Sequence, residues 1–175
     1  LLDGCLKVGS RADGTPTARE EILRAAKDVP PMQRFFDPSD ERLVSTWDKP
    51  AVLNEILREN GQEPLTDRAA VARTFIDNML LAQRHAIRQL QDLTGRKYGT
   101  VHFLGRGGDF LPLGQWLADA TGMTVHFGLV EARAIGNIVL QMMALGDLGS
   151  LADARDLVAR SFQAPEYNPV DTAVW

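Results

Sequence analysis

The tetrapeptide Thr-Val-His-Phe occurs twice, at residues 100–103 and 124–127, with a glycine-rich turn and one helical segment between the two copies. Short runs of β-branched and apolar residues favour strands. Strands separated by a whole helix cannot close as a hairpin, so this pair is expected to run parallel in a βαβ unit. The first run extends to Leu104 and enters Gly105-Arg106-Gly107-Gly108-Asp109. A helix over 111–121 follows, with Pro112 in its first turn, where a missing N–H costs little. The second run passes through Gly128 into a helix over 130–145. The carboxyl ends of both strands then face one crevice, the usual ligand-binding edge of an α/β sheet.

Ahead of this unit the period is helical. From 67 to 93 there is no Gly or Pro, and Val71, Phe75, Met79, Leu80, Ile87 and Leu90 recur at helical spacing between Thr66 and Gly95. Such a helix is roughly 40 Å long at 1.5 Å per residue. Thr17 and Glu20 form a capping box for a helix reaching Lys27, before Pro30 and Pro31. Phe35-Phe36-Asp37-Pro38-Ser39-Asp40 reads as turn chemistry, and Asp48 caps a short helix that stops at Gly61. Ser150 with Asp153 caps a last helix ending near Phe162. Residues 1–9 read as the tail of a helix, and two strands are too few for a stable sheet. The remaining strands are expected ahead of Leu1, and the free sheet edge implies a tendency to self-associate.

Composition narrows the function. Nineteen basic against 23 acidic residues give a net charge of −4, which excludes a phosphate-backbone binder. The apolar stretch 138–145 is far below the roughly 20 residues of a membrane span, and Leu1-Leu2-Asp3 has no signal-peptide character. A single cysteine, Cys5, allows neither an internal disulfide nor a thiolate zinc site. A cytoplasmic chain that binds neither nucleic acid nor membrane is expected.

The strongest candidate for chemistry is the run 105–109, because glycines between a parallel strand and a helix let backbone N–H groups approach a phosphate. The dinucleotide fingerprint is incomplete, with Phe110 at its third glycine, and no Walker sequence occurs. A plain tight turn remains the alternative. His102 and His126 occupy equivalent places in adjacent strands, yet metal binding would need further ligands; a packed or hydrogen-bonded role is expected. His85, Asp153, Arg155 and Asp156 read as surface, Met142-Met143 as core. Glu131 complements a helix dipole, and Gly136 would permit close approach of a backbone or a base.

Three segments, in order and at matching spacing, carry a resemblance. They are Phe36-Asp37-Pro38-Ser39-Asp40-Glu41-Arg42; the strand and turn 101–108 with Ala118-Asp119-Ala120-Thr121-Gly122; and Gly128-Leu129-Val130-Glu131-Ala132 leading to Ile135-Gly136-Asn137. Together they resemble the carboxy-terminal domain of the FGGY carbohydrate kinases, most of all the rhamnulokinases. The resemblance implies an α/β chain with a partial ribonuclease H-like, actin-like ATPase fold: a parallel βαβ core, several helices and absent N-terminal strands. It implies that residues 1–175 are the nucleotide-side domain of a sugar kinase, with ATP and Mg²⁺ as cofactors. Sugar contacts and the catalytic base would lie upstream of Leu1, so the chain alone would be inactive. The nucleotide-site positions it implies are Asp3, Gly105, Arg106, Gly107, Gly108 and Asp109. Arg106 stands at the second glycine of the family turn, Asp109-Phe110 at a pair that is typically Gln-Asn, and Asp3 at a glutamine. Two readings follow: a nucleotide-binding part of a kinase, or a kinase-like module without ATP binding that serves regulation or assembly.

Overall fold

The computed structural model describes residues 19–46, 48–104, 112–128 and 131–175. They form two compact units, one of the described residues up to Arg96 with Thr172–Trp175, the other within Lys97–Asp171.

The first unit is helical: α1 (Arg19–Ala25), α2 (Glu41–Ser45), α3 (Lys49–Glu59) and α4 (Arg68–Thr94). Its core gathers Phe36, Leu43, Leu53, Ile56, Leu57, Val71 and Phe75, with the Phe36 and Phe75 rings edge-on at 5.0 Å. Ile22, Leu23 and Ala26 of the first helical segment are buried as well, where α1 packs on α4. The Thr17–Glu20 capping box falls outside the described side chains, and the helix ends at Ala25, not Lys27.

The long helix spans its expected length but starts differently. Its cap is Asp67, whose Oδ2 accepts the Ala70 N–H at 2.8 Å, and not Thr66; Gly95 closes it at φ 65°, a conformation glycine adopts without strain. Only its first half is buried: Val71, Phe75 and Leu80 are core, whereas Leu90 is 48% exposed. The spacing also missed α2, which is five residues long. Asp40 caps α2 through the Arg42 N–H, and Lys49 Nζ donates to the carbonyls of Leu43 and Thr46 at its end.

Polar side chains hold the irregular segments before α2 and before α4. Asn78 Oδ1 accepts the Phe36 N–H at 3.1 Å while its Nδ2 donates to the Arg34 carbonyl at 2.9 Å. Gln62 brackets the Phe35 backbone in the same way, and Asn54 that of Leu65. These amides supply the donor and acceptor that a neighbouring strand would otherwise give. Behind them Asp77, 1% exposed, accepts from Arg73 Nε at 2.8 Å and from the Met32 N–H at 2.9 Å. Met32 has φ 59°, a strained value for a residue with a Cβ, and the buried carboxylate fixes it there. Burial pushes the Asp77 carboxyl up, against the pull of the Met32 N–H and the Arg73 guanidinium.

The second unit contains β1 (Thr100–Phe103), α5 (Pro112–Thr121), β2 (Thr124–Phe127), α6 (Ala132–Leu145), α7 (Leu151–Ser161) and β3 (Glu166–Tyr167). β1 and β2 pair in parallel and the strand order is β1-β2-β3. β3, antiparallel to β2, is a third strand that the sequence pattern does not reveal, because two residues flanked by Pro165 and Asn168-Pro169 carry no period. α5 packs on β2 and β3 over Val125 and Phe127, both buried. Ser150 caps α7 as expected. α6 buries none of its residues. Met142 and Met143, expected in the core, are half-buried, and a Cβ on Gly136 would meet nothing within 4 Å among the described residues.

Removing the carboxylate in Asp77→Ala should cost about 3–5 kcal/mol, because a buried guanidinium loses the charge paired with it; a denaturant titration measures it. A second expectation concerns acid. The hydrogen bonds from Arg42 hold Asp40 and Glu59 below the usual carboxylate range, and Ser39 does the same for Asp37. Lowered carboxylates stabilise the fold above their unfolded pKa and lose that contribution as pH falls through the folded one. The stability gap between wild type and Arg42→Met should therefore close as pH drops below about 4, as followed by thermal melts across pH.

Candidate functional site

β1 and β2 run in the same register, Phe103 opposite Phe127 and His102 opposite His126, so both chains leave the sheet at one level. Gly128 N–H donates to the Phe103 carbonyl at 2.8 Å and extends the ladder one step past the strands. A Cβ on Gly128 would stand 3.0 Å from Cδ2 of the exposed Leu104, a close contact with a flexible side chain where the two exits converge. From this edge the sequence enters residues 105–111 on one side and 129–130 on the other. The six expected nucleotide-site positions, Asp3, Gly105, Arg106, Gly107, Gly108 and Asp109, lie outside the described residues, as does Phe110. What the structure gives is the frame around them.

One side of that frame is α5, which starts at Pro112 directly after the glycine run. The other is α6, whose N-cap Glu131 makes no side-chain cap bond and is exposed. Gly136 and Asn137 are exposed too, with Asn137 Oδ1 accepting from Gln141 Nε2.

The sheet has two unlike faces. On one, Phe103 and Phe127 stack at 4.6 Å and Tyr167 meets Phe127 edge-on at 6.3 Å. On the other, His102 and His126 stack at 5.1 Å with their planes 14° apart, and His126 Nδ1 lies 3.9 Å from Glu166 Oε2. The expected side-by-side placement of the histidines is found. Thr124, Asn168 and Glu166 continue this polar row through hydrogen bonds of 2.9 and 3.1 Å.

Residues 4–145 match the C-terminal domain of the FGGY family of carbohydrate kinases. The chain belongs to that family. It is 30% identical over 175 residues to a rhamnulokinase of Bacteroides thetaiotaomicron, covering 100% of this chain and 35% of that protein. It is 33% identical over 158 residues to a rhamnulokinase of Enterococcus faecalis, covering 88% of this chain and 32% of that one. The chain thus spans about a third of the length of the curated relatives it matches.

Physical reasons for one FGGY-like segment are visible in α5. Ala118 and Ala120 are almost fully buried, where larger side chains would not fit. Thr121 Oγ1 donates to the Leu117 carbonyl at 2.7 Å, and Gly122 turns the chain at φ 71°. Asp119, 7% exposed, accepts from Gln115 Nε2 at 2.9 Å and from the N–H groups of Val170 and Asp171 at 2.7 and 3.1 Å. Sequence reasoning saw Asp119 only as part of a motif. Its partners lie some fifty positions away in a segment without periodicity.

Gly114 is the closest contact in the frame: a Cβ there would sit 2.3 Å from Tyr167 Cε2 and 2.5 Å from its Cδ2. Gly114→Ala should therefore lose about 1–3 kcal/mol through overpacking, although alanine is the better helix former. A more stable variant in a chemical melt would contradict this packing.

Proposed function

We propose that this chain is the nucleotide-side, carboxy-terminal domain of an ATP-dependent sugar kinase of the rhamnulokinase kind, with a ribonuclease H-like, actin-like ATPase fold. The observation that carries the reading is the in-register parallel pair β1 and β2 in a chain that matches the FGGY carboxy-terminal domain, with β1 leading in sequence into the glycine run. In this reading backbone N–H groups of Gly105, Gly107 and Gly108 cradle the phosphates of Mg-ATP, with Asp3, Arg106 and Asp109 at the rim. Mg²⁺ arrives with the nucleotide and offsets phosphate charge.

The reaction is in-line transfer. A ketose hydroxyl oxygen forms a bond to the γ-phosphorus, the bond to the β-phosphate oxygen breaks, ADP leaves and the hydroxyl proton passes to a general base. That base and the sugar contacts belong to the length of the relatives that this chain does not span. The chain's own contribution is to hold and orient the nucleotide. A cytoplasmic location fits a substrate pair of ATP and a free sugar.

The second reading, a kinase-like module without ATP binding, draws on Arg106, Asp109, Phe110 and Asp3. An acid beside phosphate repels it, and Phe110 donates no side-chain hydrogen bond. A thermal-shift titration with Mg-ATP and Mg-ADP separates the readings: ligand that binds only the folded state raises the melting temperature, by an amount equivalent to about 2.7 kcal/mol at a hundred times Kd. A rise is expected, and an unchanged melt would favour the second reading. Arg106→Gly is expected to tighten Mg-ATP in calorimetry, because a Cβ at a family glycine obstructs close approach. Weaker binding, by about 1.5–3 kcal/mol, would show instead that the guanidinium holds phosphate.

A further inference from the structure

The helix that follows the glycine run is gripped along one side by the segment after β3. Tyr167 lays its ring in the notch left by Gly114, and Gln115 Nε2 donates to the Asn168 carbonyl at 2.8 Å. About one turn further along, Asp119 takes the N–H groups of Val170 and Asp171 together with the Gln115 amide, all on Oδ1. Residues 167–171 therefore hold α5 at its first turn and at its last. A notch filled by an aromatic ring resists sliding along the helix axis, while the two N–H groups held by Asp119, with the Gln115 bond to the Asn168 carbonyl, resist rotation about it.

This grip is more than the burial of a small sheet requires. Asp119 is 7% exposed, and its hydrogen-bond partners among the described residues are two backbone N–H groups and one side-chain amide, all neutral. Val170, in contrast, is 83% exposed, so the side chain at the anchored backbone adds little to the core. The polar anchor is spent on fixing the position of α5 rather than on covering apolar surface. α5 begins at Pro112, immediately after residues 105–111 in sequence, so the brace lies on the helix that follows the glycine run in the chain.

We propose that residues 167–171 form a brace that positions α5 for nucleotide binding, with Asp119 as the positioning residue and Tyr167 as its wedge. The proposal rests on the reading that the glycine run binds Mg-ATP. Neither residue is assigned a contact with the nucleotide. Their effect is on the placement of the helix, and displacements of about 1 Å are enough to change an aligned site strongly.

The test uses the full 175-residue chain and calorimetric titration of Mg-ATP, with amide hydrogen exchange of residues 112–121 read in parallel. Asp119→Leu removes the acceptor; Asp119→Asn keeps an oxygen for the two N–H groups. Loss of affinity by about tenfold or more in Asp119→Leu, with faster exchange in α5 and substantial recovery in Asp119→Asn, is the expected result. Ile56→Val, a core change in the other unit, should leave affinity unchanged and controls for general destabilisation. Should Asp119→Leu not fold, Val170→Pro removes one anchored N–H from an exposed position and takes its place. Wild-type binding with equal affinity in the folded variant would overturn the brace alone. A wild-type chain that does not bind Mg-ATP would overturn the nucleotide reading and the brace with it.

Discussion

Parallel pairing of β1 with β2 is the constraint from which the second unit follows. Parallel neighbours cannot be joined by a tight turn, so the chain must cross over, and the crossover here is α5. That helix has to lie on a sheet face, which fixes Val125 and Phe127 beneath it and leaves Thr124 and His126 on the other side. Both strands must also end at the same edge. The Gly128 N–H bond to Phe103 continues the ladder there and brings the two exits together, with the glycine run on one side. The convergence of the two strand exits at one edge is therefore a result of strand direction before any side chain is considered.

The first unit is organised by buried polar groups as much as by its apolar core. Asp77, Asn78 and Arg73 stand on the buried side of α4, among residues that periodicity would assign to hydrocarbon. They are retained there because the segment running from Pro30 to Phe36 has backbone donors and acceptors that need partners. A buried N–H without an acceptor costs of the order of 1–3 kcal/mol, so one carboxylate and a few amides can decide the path of an irregular strand. The same device recurs in the second unit, where Asp119 serves the backbone of Val170 and Asp171. In both units a side chain on a helix replaces the strand that would otherwise pair with the segment.

Membership of the FGGY family joins these local features to a chemical role. The relatives that it matches are rhamnulokinases, and the shared region is about a third of their length. Phosphoryl transfer in general needs a held nucleotide, an acceptor hydroxyl and a base for its proton. The apolar surface of α6, with Ile138, Leu140 and Leu145 each more than half exposed, shows that this helix is not enclosed by the described residues.

The sequence by itself determined the elements whose information is local. The helix across 67–93, the glycine stop at Gly95, the caps at Asp48 and Ser150 and the parallel pairing of the two Thr-Val-His-Phe runs each follow from spacing or from one residue's conformational preference. The three ordered motifs likewise carried the family, because motif identity and spacing survive without knowledge of contacts. Tertiary structure decided what depends on partners distant in the chain. That Asp67 and not Thr66 caps α4, that Met142 and Met143 are half-buried, and that β3 exists at all could not be read from periodicity. Burial and short-strand pairing are set by which surface arrives from elsewhere. Asp119 shows the difference most directly: its place in a motif was legible, but its role as the anchor of a segment some fifty residues away exists only once the chain has folded.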